Sequence, residues 1–200
     1  MRIGLDFDNT IVCYGNAIRL LADEILDLPD KLPRTKNALR DYLRSQEREI
    51  EWTLFQGELY GPGMQYAEPF QGAIKTMQKL LRNGHDLVIV SHRTIWPYAG
   101  PKYNLHIAAR SWIETNLQSH GLFCGEKSVV EFLESSKEKV RKIAELDCNA
   151  FVDDLPEVLC AKEFPCKTMR ILFDPDSTFK PISDIQIIKQ WVELDNAINK

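Results

Sequence analysis

Five short apolar runs, at residues 2–6, 86–91, 128–133, 150–153 and 169–173, each give way to polar residues at their carboxyl ends. Near-continuous apolar runs of this length are what parallel strands covered on both faces require. Between them lie helical patterns. Phe70, Ile74, Met77 and Leu81 recur at helical spacing over 70–83, with Gly84 as the stop. Residues 103–118, 136–146 and 183–198 carry similar stripes; Ile187, Ile188, Trp191, Val192 and Leu194 form the last of them. Strand and helix in alternation predict an α/β protein with a doubly wound parallel sheet. Residues 14–67 break the alternation. They read as two helices, roughly 15–28 and 36–54, and closing turns at Tyr60-Gly61-Pro62-Gly63. The expected organisation is a core of 1–13 and 68–200 with an all-helical insertion of 14–67 above the strand ends.

The net charge of −4 argues against a nucleic acid polymer as partner, which calls for a basic footprint. No apolar run approaches membrane-spanning length, so no membrane is expected. An apolar run beginning at Arg2 leaves no room for the hydrophobic segment of a signal peptide. Five cysteines, at 13, 124, 148, 160 and 166, are irregularly spaced and read as reduced thiols. A cytoplasmic location is the expectation. Nothing in the sequence fixes the oligomeric state.

The polar strand ends are not random. The first run stops on Asp6, and Asp8 follows two places later in Asp6-Phe7-Asp8-Asn9-Thr10. Side chains two apart on an extended backbone point the same way. Two carboxylates so close repel unless a cation sits nearby or their protonation differs. Ser91-His92-Arg93-Thr94 follows the second run, Lys137 and Lys139 open the helix after the third, and Asp153-Asp154 follow the fourth. In a parallel sheet these clusters emerge at one edge, where open α/β sheets place their ligands. Each has a duller reading: Asp153-Asp154 as caps for a helix starting near Pro156, Ser91 as a turn residue, Lys137 and Lys139 as a solvated face.

With those residues in that order, the chain resembles the haloacid dehalogenase (HAD) superfamily of aspartate-nucleophile phosphohydrolases. DFDNT is similar to the family's first motif, Ser91 to its second, Lys137 (or Lys139) to its third, and VDD at 152–154 to its fourth. The resemblance implies a Rossmann-like core with a mobile cap, and it assigns roles that the chemistry of phosphate monoesters also asks for. Asp6 would be the nucleophile, and Asp8 the general acid and base. A Mg²⁺ would bind Asp6, the backbone oxygen of Asp8, and Asp153. Ser91 would donate to the phosphoryl group. Lys137, preferred over Lys139 as closer to the strand end, would neutralise charge. Asp154 would hold a metal-bound water or pair with the lysine. The resemblance also implies phosphoryl transfer rather than dehalogenation, since family members that dehalogenate keep no acid at the position of Asp8.

Thr10, Arg93, Gln56 and Tyr60 are the substrate-binding candidates. Arg93 can reach the same crevice and grip an anion with two N–H groups. Gln56 and Tyr60 lie where the insertion would face the site. Arg44 and Arg48 are further candidates, and Trp96-Pro97-Tyr98 is a possible wall of the pocket. The implied activity is Mg²⁺-dependent hydrolysis of a small phosphorylated metabolite, a sugar, polyol or nucleotide monophosphate. Two rivals are a phosphotransferase using the same aspartyl-phosphate and a non-catalytic binding protein of the same fold.

Overall fold

The computed structural model describes residues 1–125 and 128–199, which group into two compact units. The first comprises Met1–Val12, Pro69–Arg93 and Asn116–Lys200. Its sheet contains β1 (Arg2–Leu5), β2 (Asp86–His92), β3 (Val129–Leu133), β4 (Ala150–Asp153), β5 (Met169–Phe173) and β6 (Ile185–Ile188). These form a six-stranded sheet in the order β3-β2-β1-β4-β5-β6, with parallel pairing throughout. The architecture is α/β and Rossmann-like. The five strands read from the sequence are present; β6 is an addition.

β6 lies inside the 183–198 segment expected to be one helix. The observed elements there are the strand, a 3₁₀ turn at Trp191–Glu193, and a short helix at Leu194–Ile198. Ile187 and Ile188 fit a helical stripe with Trp191, but backbone pairing to β5, with Leu172 opposite Ile187, wins. The other helices of this unit are Ala73–Arg82, Ser136–Glu145 and the single turn Pro156–Leu159. Val88, Val90, Val140, Ile143, Phe151 and Leu172 are buried together in one core cluster. The cysteines are free thiols.

β1 is the strand on which the site depends. It has β2 on one side and β4 on the other, with Leu5 level with Ile89 and with Val152. The chain lays β2 and β3 to one side and β4, β5 and β6 to the other, so the strand order reverses beside β1. The carboxyl ends of the three strands carrying Asp6, Ser91 and Asp153 are therefore neighbours. Gly4 keeps β1 close to its surroundings: a Cβ there would stand 2.4 Å from the Phe151 ring and 3.1 Å from Cys148 Sγ.

The second unit comprises Cys13–Glu68 and Thr94–Thr115. It is helical, with Gly15–Ile25, Lys36–Ser45, Glu49–Tyr60 and most of Leu105–Asn116. The expected helix over 36–54 is two helices, broken where Glu47 takes φ 58°. The unit is larger than the 14–67 insertion read from the sequence. Residues 94–115 join it because the Trp112 indole N–H donates to the Ala67 carbonyl at 2.8 Å, and Leu105 N–H to Ile95 at 2.9 Å. Among the described residues no helix is long and apolar enough to cross a membrane.

Candidate active site

Past Leu5 the chain pairs once more, Asp6 N–H donating to the Val152 carbonyl at 2.9 Å, and then turns. Ile11 and Val12 N–H groups both bond to the Phe7 carbonyl, at 3.1 and 3.0 Å. Asn9 takes φ 56°, a left-handed conformation that Asn tolerates better than most residues. This tight turn holds Asp6 and Asp8 at the strand end. Trp191 Nε1 secures it from outside by donating to the Thr10 carbonyl at 3.0 Å.

Asp6, Lys139 and Asp153 form a buried cluster, exposed by only 4%, 1% and 0%. Lys139 Nζ lies 2.6 Å from Asp6 Oδ1 and 2.7 Å from Asp153 Oδ2. Ser91 Oγ donates to the same Asp6 Oδ1 at 2.8 Å. Asp153 also accepts the Leu155 N–H at 3.0 Å through Oδ1, so it supports the chain entering the Pro156 helix while Leu155 occupies the cap position. Burial opposes the charge of Lys139, but Asp153 and Asp6 beside it outweigh burial and hold the ammonium above the usual lysine range. Burial pushes the Asp153 carboxyl up to about 7; Lys139 opposes that rise and Asp6 adds to it.

The cluster's lysine is Lys139, where the sequence reading preferred Lys137, which is exposed. The helix start explains the difference. Ser135 accepts the Glu138 N–H at 3.2 Å and donates back to its carboxylate at 2.9 Å, a reciprocal cap that starts the helix at Ser136. At about 100° per residue, Lys139 then falls about 40° from the buried Ile143. Nearness to the strand end, the ground for preferring Lys137, does not decide which side of the helix faces the site; Lys137 lies on the exposed side and Lys139 on the buried one.

Among the described residues, the acids that could share a metal are Asp6, Asp153 and Asp154, with one ligand oxygen from each within 4.8 Å of the others. Asp154, expected to hold a metal-bound water or pair with the lysine, supplies a carboxylate oxygen here, while Asp8 was expected to contribute only its backbone oxygen. Three carboxylates against one ammonium leave two negative charges, and all the donors are hard oxygens. That combination fits a divalent cation such as Mg²⁺.

Arg93 is the second departure. Its Nε donates to Asp8 Oδ2 at 3.2 Å and its Nη2 to Asp8 Oδ1, a two-point grip. Its side chain is 3% exposed, and its guanidinium lies over the Phe7 ring at 5.4 Å. Arg93 N–H bonds to Leu133 at 2.8 Å. The sequence reading had Arg93 gripping a substrate anion; here its guanidinium is buried and grips Asp8. Thr10 is fully buried, and its hydroxyl finds no hydrogen-bond partner among the described residues; it contributes through its carbonyl.

The remaining candidates belong to the helical unit. Gln56 and Tyr60 sit half-buried on Glu49–Tyr60; Tyr60 packs edge-on against Tyr14 at 5.2 Å, with Lys36 Nζ 5.7 Å from its ring. Arg44 and Arg48 pair with Glu49 and Glu51, each at 2.7 Å, in exposed or half-exposed ion pairs. Trp96 and Tyr98 are exposed within the same unit.

No family model matches the chain. A Bacillus cereus protein named "Putative nucleotidase" is 24% identical over 208 residues, spanning 100% of this chain and 99% of its own length. Solved structures show the same fold. A HAD phosphatase from Thermococcus onnurineus matches with a TM-score of 0.56 at 19% identity, covering 98% of this chain and 96% of its own. A "putative HAD-hydrolase" from Bacillus subtilis, solved bound to magnesium, matches at 0.53 and 18%, covering 100% and 98%. The fold is that of the HAD-like hydrolases.

Proposed function

We propose that the protein is a Mg²⁺-dependent phosphatase that hydrolyses a small phosphorylated metabolite through an aspartyl-phosphate on Asp6. The observation that carries this reading is the buried Asp6–Lys139–Asp153 cluster, with Ser91 on the same Asp6 oxygen. Buried like charges are costly to keep, and Lys139 balances only one of the acids, which argues against a non-catalytic binding protein of this fold. Ser91 and Lys139 both donate to Asp6 Oδ1, which leaves Oδ2 as the attacking oxygen. Asp6, Asp153 and Asp154 would hold the Mg²⁺, with the backbone oxygen of Asp8 as a further ligand. When bound, the ion supplies positive charge for the phosphoryl oxygens.

Asp6 attacks phosphorus, and the bond to the leaving alcohol breaks as Asp8 gives that oxygen a proton. Water then attacks the aspartyl-phosphate, Asp8 takes its proton, and the Asp6 carboxylate is restored. Lys139 and Ser91 keep Asp6 in place and balance its charge through both steps. Gln56 and Tyr60 are assigned to substrate selection. The name of the Bacillus cereus relative favours a nucleoside monophosphate among the sugar, polyol and nucleotide candidates.

The test is phosphate release from a panel of monoesters with Mg²⁺, by the wild type and Asp6→Asn. Mg²⁺-stimulated release that vanishes in the variant supports the reading; full activity in Asp6→Asn removes Asp6 as nucleophile. Added acceptor alcohols separate hydrolysis from transfer, since a phosphotransferase would yield a new phosphate ester in place of inorganic phosphate.

A further inference from the structure

We infer that Arg93 is a positioning residue that holds Asp8 as the base for hydrolysis of the aspartyl-phosphate, rather than a ligand for the substrate. The inference rests on the phosphatase reading above. Both Asp8 oxygens accept from one guanidinium, so the group stands as an acceptor. Base catalysis in the second step needs Asp8 held in a fixed direction, and the two-point grip fixes it. Arg93 is itself immobilised, with its side chain buried, its guanidinium across Phe7 and its backbone on Leu133. Phe7 in turn meets Phe132 edge-on at 5.4 Å. This makes the direction of Asp8 a property of the core rather than of a mobile side chain.

In the step concerned, water gives a proton to Asp8 as its oxygen bonds to phosphorus. The bond from phosphorus to Asp6 breaks and its electron pair returns to the carboxylate. No other reactant is needed.

The test is rapid-quench kinetics with p-nitrophenyl phosphate and Mg²⁺ on the wild type, Arg93→Ala and Arg93→Lys. The p-nitrophenolate group departs without a proton, so the first step does not depend on Asp8. In Arg93→Ala the expected result is a burst approaching one p-nitrophenolate per enzyme, followed by a steady rate about 10²-fold below wild type. KM should fall along with kcat, and hydroxylamine-labile phosphate should accumulate on the protein. Arg93→Lys should recover part of the steady rate, and it carries the test if the alanine variant does not fold. A raised KM with kcat unchanged and no burst would make Arg93 a substrate ligand and overturn the inference. So would equal loss of the first-step and steady rates, which is the mark of a purely structural role. A wild type that releases no p-nitrophenolate, or Asp6→Asn that still does, defeats the phosphatase reading itself.

Discussion

Arg93 grips Asp8 through two nitrogens, and the pair joins the end of β2 to the turn after β1, 85 residues earlier in the chain. Removing the charge from Asp8 should therefore show in two measurements. Asp8→Asn should lower kcat for an alkyl phosphate about 10²–10⁴-fold, and much less for the first step with p-nitrophenyl phosphate. Its thermal midpoint should also drop, because a guanidinium 3% exposed loses its counter-charge. Calorimetry beside a two-substrate assay checks both.

Lys139 and Lys137 are two residues apart and should behave as opposites. Lys139→Ala leaves Asp6 and Asp153 as buried carboxylates without their shared ammonium. A loss of about 3–5 kcal/mol in unfolding free energy is expected, with activity abolished. Lys137→Ala touches an exposed side chain and should stay within about 0.5 kcal/mol of wild type, with normal kcat. Urea denaturation of the two variants side by side decides which lysine belongs to the site.

Gly4 makes a prediction at the floor of the same strand. An alanine methyl would collide with the Phe151 ring at 2.4 Å, and Phe151 lies against Lys139 Nζ at 5.6 Å. Overpacking of this kind costs about 1–3 kcal/mol. Gly4→Ala should unfold at lower urea, and kcat should fall as well, because the displaced ring bears on the lysine that holds Asp6. A stable, fully active variant would mean that β1 shifts freely.

The buried strands were legible in the sequence because a strand covered on both faces has little choice but to be apolar throughout. β6 was not, although β3 at the opposite edge of the sheet was, because β6 runs straight into a helical segment. Ile187 and Ile188 continue in helical phase into Trp191, Val192 and Leu194, so the pattern of the strand was absorbed into that of the helix after it. At the site, Asp6, Asp8, Ser91 and Asp153 stood out because β-strand ends announce themselves. The roles of Lys139 and Arg93 depend on how a helix is rotated and how a long side chain folds back, and spacing records neither. The Ser135-x-x-Glu138 cap was the missed signal for Lys139: it fixes the helix start and thus the face on which the lysine lies. No comparable signal existed for Arg93 on Asp8.

Asp153 links the cation to pH. Burial raises its carboxyl to about 7, above the unfolded value, so from about pH 4 upward the folded state binds a proton that the unfolded chain does not. With more protons on the folded side, stability from this group falls as pH rises and is lost through pH 7. A divalent cation held by Asp153, as proposed, would bind the ionised form and reverse that loss, with release of a proton when it binds below pH 7. Mg²⁺ should therefore bind more weakly at pH 6 than at pH 8. At a fixed concentration it should raise the thermal midpoint more at pH 8, by up to about 2.7 kcal/mol of stability at 100 times Kd. Titration calorimetry at pH 6.5 in buffers of different ionisation enthalpy should reveal the proton. Equal Mg²⁺ affinity at both pH values, with no proton exchanged, would detach Asp153 from the metal.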